Sequence, residues 1–146
     1  PVSERIGGGR RRDRLPVAWT LASGDTAKDI EEAERFLAER RHNIFKLKIG
    51  KREVREDVAH VTAIKRALGD RASVRVDVNQ GWSEAKAHLG LCLLQDAGID
   101  LVEQPVKGKN HAAMTRLSAA YGIPLMADEA LRGPGDAFAV ARVRTH

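Results

Sequence analysis

The chain alternates short apolar runs with longer stretches in which apolar side chains return every three or four residues. The first pattern suits strands and the second suits amphipathic helices. Leu15 to Leu21 is a β-favouring run. Asp25 or Thr26 then caps a helix reaching about Arg41, with Ile30, Ala33, Phe36 and Leu37 on one face. Ile44 to Ile49 predicts a strand. Val54 to Leu68 predicts a helix with Val58, Val61, Ile64 and Leu68 on one side and Gly69 as its stop. The same reading predicts a strand over 72–78 and a helix over 84–96, begun by Ser83 and stopped by Gly98. A strand over 99–103, a helix over 111–121, a strand over 124–128 and the start of a helix over 135–143 complete the pattern.

The order is therefore βαβαβαβαβα, which calls for parallel strands joined by crossover helices. Lys48, Asp77, Glu103 and Asp128 each end a strand, about 25 to 29 residues apart. One βα unit has about that length. The expected fold class is α/β, an incomplete (β/α)8 TIM barrel of about five units. A complete barrel needs about 250 residues, and the chain has 146.

Strand parity decides which side chains share a face. Lys46 and Lys48 point one way. Arg75, Asp77 and Asn79 share a face while Val76 and Val78 take the other; Leu101 goes with Glu103 and Met126 with Asp128. Buried parallel strands are usually apolar on both faces, so a polar face needs an explanation. In a barrel that face lines the interior, and chemistry sits at the C-terminal strand ends. Three carboxylates converging there repel one another unless they take up protons or share a cation. A hard divalent cation, Mn²⁺ or Mg²⁺, fits oxygen donors. The histidines are scattered without zinc-ligand spacing. Lys48, with its protonated form disfavoured by Lys46 and the metal, is the candidate base. Asn79 has two readings, orienting the metal or Lys46, or forming a turn. Arg75, deeper on the same face, is a candidate counter-charge.

Composition narrows the setting. With 42% hydrophobic and 31% charged residues, the chain can build one modest core. No apolar run approaches the roughly 20 residues of a membrane span, and no signal-peptide pattern opens the chain, so a cytoplasmic location is expected. The net charge of +5 draws on Arg5, Arg10, Arg11, Arg12 and Arg14. No aromatic residue is interleaved among them to stack bases, which argues against a nucleic-acid partner. Cys92, in the apolar run Leu91 to Leu94, reads as a small core residue. The chain begins without Met, which fits processing or a segment of something longer.

Together these residues resemble the muconate cycloisomerase subgroup of the enolase superfamily. Lys46-Leu47-Lys48 matches its Lys-x-Lys motif. Asp77-Val78-Asn79, Glu103-Gln104-Pro105 and Ala127-Asp128-Glu129 match its three metal-ligand motifs, in order and at the right spacing, within a likeness spanning about Leu15 to Val143. The pairing of a Lys or His base with Mg²⁺ is a known pattern of that superfamily rather than a deduction from this sequence. The resemblance implies an enzyme of aromatic-compound catabolism that closes cis,cis-muconate, a small dicarboxylate, to muconolactone through an enolate. It implies Mn²⁺ or Mg²⁺ on Asp77, Glu103 and Asp128, with Lys48 exchanging the proton and Lys46 assisting.

The same resemblance implies a homo-oligomeric parent, longer than this chain, with a capping domain. Residues 1–14 are then a basic linker leading in from that domain, and residues 15–146 the N-terminal part of the barrel domain. The isolated piece is expected to lack turnover and to expose strand edges. Dipeptide epimerases, N-acylamino acid racemases and o-succinylbenzoate synthases share these motifs. A reading of another class is a phosphoacceptor receiver domain, also five βα units. It needs an acidic pair after strand one and a lysine after strand five, where this chain has Ala22-Ser23 and Asp128-Glu129.

Overall fold

In the computed structural model, which describes residues 2–5, 7–9, 12 and 14–142, strands and helices alternate as the pattern requires. A short helix α1 (Val2–Arg5) precedes β1 (Trp19–Leu21), α2 (Thr26–Ala38), β2 (Ile44–Lys48) and α3 (Val54–Leu68). A single 3-10 turn (Gly69–Arg71) leads to β3 (Ser73–Asp77), α4 (Glu84–Asp96), β4 (Leu101–Glu103), α5 (His111–Ala120), β5 (Leu125–Met126) and α6 (Pro134–Arg142). The strands lie in the order β1-β2-β3-β4-β5, each parallel to the next. Sequential parallel order is that of a barrel wall. A receiver-type doubly wound sheet would run 2-1-3-4-5, so the topology excludes that alternative.

The helices begin where side chains satisfy free backbone donors. Asp25 accepts from the N–H groups of Ala27 and Lys28, Ser83 from Lys86, and Asn110 from Ala113. α3 has no side-chain cap, but Glu56 and Asp57 place negative charge in its first turn. One side of the sheet packs on these helices. Phe45, Leu47, Val74, Val76 and Val102 meet Phe36, Val61, Ile64, Leu91, Leu94 and Leu117 in a single buried cluster. The other side carries Lys46, Lys48, Arg75, Asp77 and Glu103.

Four details depart from the pattern reading. β1 starts only at Trp19, which pairs with Phe45. Leu15 and Val17 have no such partner and remain 71% and 66% exposed. β5 is short because it pairs only with β4 among the described residues, and the ladder stops at Met126. The basic arm contains α1, while Arg10 and Arg11 lie outside the described residues. Cys92 is exposed rather than in the core. Successive residues of a helix turn by about 100°, so Leu91 and Leu94 face inward while Cys92 points away. No described helix is long and apolar enough to cross a membrane.

One packing contact fixes the loop after β3. A Cβ at Gly90 on α4 would lie 2.4 Å from the ring of Trp82, which is buried. Gly90→Ala should therefore force the ring or the helix to shift and cost about 1–3 kcal/mol. A lower urea midpoint at unchanged slope would show it; an unchanged midpoint would mean the contact is slack.

Candidate active site

Phe45 and Leu47 turn toward the helices, so Lys46 and Lys48 turn the other way. The register sets Lys48 level with Asp77, Asp77 level with Glu103, and Glu103 level with Met126. Lys46 and Arg75 form the next row down, with Leu101. Three of the four expected groups thus share one row at the C-terminal strand ends. Asp128 lies two residues beyond Met126, outside the strand, and is exposed.

Asp77 and Glu103 are only 2% and 4% exposed. Lys46 Nζ stands 3.1 Å from Glu103 Oε2 and 3.4 Å from Asp77 Oδ2, between the two carboxylates. Burial pushes the Glu103 carboxyl above the ordinary range. The charges of Asp77 and Asp128 add to this, and together they outweigh the hydrogen bond from Lys46. Burial works to lower Lys46, but its bonds and charge contacts with Glu103 and Asp77 leave it raised. The cluster is therefore short of positive charge even with Lys46 in place.

The Lys48 side chain makes no hydrogen bond or ion pair among the described residues. It lines a cavity of about 540 Å³ with Leu21, Asp29, Gly50, Arg52, His60 and Asn79, a lining that does not include Asp77, Glu103 or Asp128. The turn just after it is tightly defined. Gly50 has φ +98°, and a Cβ there would sit 2.7 Å from the carbonyl oxygen of Val78. Its N–H donates to Asp57 Oδ2 at 2.7 Å.

Comparison with known proteins adds to this geometry. Residues 28–144 match the family described as enolase C-terminal domain-like. The chain belongs to that family. It is similar to muconate cycloisomerase 1-1 of Acinetobacter lwoffii, 58% identical over 142 residues, covering 97% of this chain and 37% of that protein. A chloromuconate cycloisomerase of Delftia acidovorans is 50% identical over 143 residues, covering 98% of this chain and 38% of that protein. A crystal structure of muconate lactonizing enzyme from Pseudomonas fluorescens, complexed with muconolactone, superposes with a TM-score of 0.91 at 58% identity. It covers 96% of this chain and 40% of that one. The chain spans about two fifths of the length of these relatives.

Within this enolase-like unit the other candidate residues fall as follows. Asn79 is a turn residue with φ +46°. Its N–H donates to Asp77 Oδ1 at 3.0 Å, and its side-chain amide reaches Glu129 at 3.4 Å rather than Lys46. Arg75 makes no ion pair among the described residues and donates only to Ser73 Oγ, at 3.4 Å. Lys46, level with it on β2, is the counter-charge instead. Among the described residues no group of three His, Cys, Asp or Glu side chains is gathered closely enough to hold an ion as it stands. The donor set still suits a hard cation. It is all carboxylate oxygen, and Glu103 carries the excess negative charge that such an ion relieves.

Pattern reasoning missed two features beside the site. Gln104 is fully buried and bonds across to the β5 loop. Its only signal in the chain was a polar residue between a strand-end acid and Pro105. Asp29 accepts from the N–H and hydroxyl of Ser23, and its Oδ2 lies 3.4 Å from His60 Nε2. His60 Nδ1 in turn is 2.7 Å from the Thr26 hydroxyl. This link braces the β1 loop against α3, between residues that no local pattern connects.

Proposed function

We propose that this chain supplies the lysine base and the carboxylate cluster of a cycloisomerase that closes cis,cis-muconate to muconolactone, as part of a longer barrel enzyme. The observation that carries the reading is the row formed by Lys48, Asp77 and Glu103 in register, with Lys46 shared between the two buried acids. The likeness to cycloisomerases and to the muconolactone-bound enzyme supports the choice of substrate. Asp77, Glu103 and Asp128 would hold Mn²⁺ or Mg²⁺, which when bound supplies Lewis-acid stabilisation for charge developing on a substrate carboxylate.

The rest of the chemistry belongs to this chain's own groups. One carboxylate oxygen of muconate adds to the double bond conjugated with the other carboxylate, forming the ring C–O bond. The electron pair moves onto that second carboxylate as an enolate. Lys48, as the ammonium, gives its proton to the α-carbon and is left neutral; in reverse the amine takes that proton back. Lys46, which stands between Glu103 and Asp77 here, would offset the negative charge of the cluster and leave the proton transfer to Lys48. On this reading residues 1–14 lead in from a capping domain, residues 15–146 begin the barrel domain, and the enzyme is cytoplasmic and homo-oligomeric.

The same row suits removal of an α-proton from other carboxylates, as in dipeptide epimerases or N-acylamino acid racemases. The full-length protein with Mn²⁺ separates these readings when run in D₂O on cis,cis-muconate, a chloromuconate, a dipeptide and an N-acylamino acid. The expected result is lactone carrying one solvent deuterium at the α-carbon. Isotope exchange into the dipeptide or N-acylamino acid, with no lactone, would transfer the site to those substrates.

A further inference from the structure

The β5 ladder ends at Met126, so among the described residues no strand pairing holds Asp128 where a third ligand is needed. A side chain from the neighbouring strand end takes over. Gln104 Oε1 accepts from the N–H of Asp128 and from the N–H of Ala130, both at 3.0 Å. Its Nε2 donates to the carbonyl of Val106 at 2.9 Å. Its backbone N–H reaches Met126 at 2.9 Å, and its carbonyl accepts from Gln80 at 2.8 Å. The residue is fully buried and has φ +38°, a conformation that non-glycine residues seldom adopt unless their surroundings impose it. Gln104 also follows Glu103 directly. One amide therefore ties the second carboxylate to the backbone of the third.

We infer that Gln104 is a positioning residue that sets Asp128 against Glu103 and so governs how tightly the site takes a divalent cation. This rests on the ligand assignment proposed above. A glutamine suits the role because it offers two lone pairs to the two N–H groups and one donor to Val106. Methionine has nearly the same length but gives neither. Asparagine keeps the amide but falls one methylene short.

The test is Mn²⁺ affinity without substrate, by titration calorimetry on the full-length protein. Gln104→Met and Gln104→Asn should weaken binding by about 10- to 100-fold, the range seen when groups that orient metal ligands are removed. Val61→Ala, in the α3 core, serves as a variant that lowers thermal stability away from the site and should leave affinity unchanged. Wild-type affinity in folded Gln104→Met overturns the inference, as does an equal loss in Val61→Ala. Asp128→Ala, run in parallel, keeps the two levels apart. If it binds Mn²⁺ normally, the ligand assignment fails; if it loses Mn²⁺ while the Gln104 variants do not, only the positioning role fails. Should the Gln104 variants not fold, hydrogen exchange on the metal-free wild type decides. Slow exchange over residues 125–131 supports the clamp, and exchange as fast as an open loop refutes it.

Discussion

Lys48→Ala in the full-length protein should lower lactonisation by about 10²- to 10⁴-fold, the range a positioned proton donor supplies. Mn²⁺ affinity should stay within about twofold of wild type. The contrast between the two lysines carries this expectation. They share a face of β2, two residues apart, but Lys46 bonds to both buried acids while the Lys48 ammonium has no partner among the described residues. An ammonium held by two carboxylates is a poor proton shuttle, whereas an unpaired one level with Asp77 and Glu103 is free to reach a substrate carbon beside them. Loss of turnover together with loss of Mn²⁺ would instead give Lys48 a structural part. Unchanged turnover would remove it from the chemistry.

Glu103→Gln should separate metal binding from stability. The carboxylate–cation attraction it removes is worth about 4 kcal/mol per unit-charge pair at 4 Å and an effective dielectric near 20, or about a thousandfold in affinity. Calorimetry should show Mn²⁺ binding weakened at least that much. The metal-free variant should nonetheless unfold at no lower a urea concentration than wild type at neutral pH. The sign follows from the direction of the shift. Glu103 is raised by burial and by its acidic neighbours, so folding favours its protonated form. Its contribution to stability is full below the unfolded value near 4.5 and is lost as pH rises through the higher folded value. Ionising Glu103 in the folded protein therefore costs stability that Lys46 offsets only in part and a further cation would relieve. The variant's stability should also depend less on pH between those two values. A large drop in the metal-free midpoint would mean that the Lys46–Glu103 bond outweighs the cost of burial.

Much of this is legible in the sequence, for identifiable reasons. α3 and α4 have the bounds their apolar spacing and end signals predict. The alternation of Phe45, Lys46, Leu47 and Lys48 assigned faces correctly, because strand parity is geometric and needs no tertiary information. What pattern could not supply depends on contacts across strands. Lys46 and Glu103 are 57 residues apart, and only the register makes them a pair. Arg75 is level with Lys46 and as polar, yet its side chain bonds to Ser73 while Lys46 takes the acids. Asn79 looked able to face the cluster, but its positive φ takes it out of the strand and into the turn. Asp128 was expected to end a strand, but its strand stops two residues sooner and Gln104 replaces the missing ladder bond. Cys92 sits in an apolar run that winds partly off the buried side of α4.

The central claim is that three acids from successive strand ends meet around one divalent ion beside Lys48. The most direct measurement is a crystal structure of the full-length protein with Mn²⁺, with the ion located by its anomalous scattering. The expected result is a single peak bonded to Asp77, Glu103 and Asp128, with the Lys46 ammonium moved aside and the Lys48 ammonium turned toward the ion. A peak bonded to none of the three, or an Asp128 carboxylate turned away from Glu103 in the Mn²⁺-loaded protein, would contradict the account.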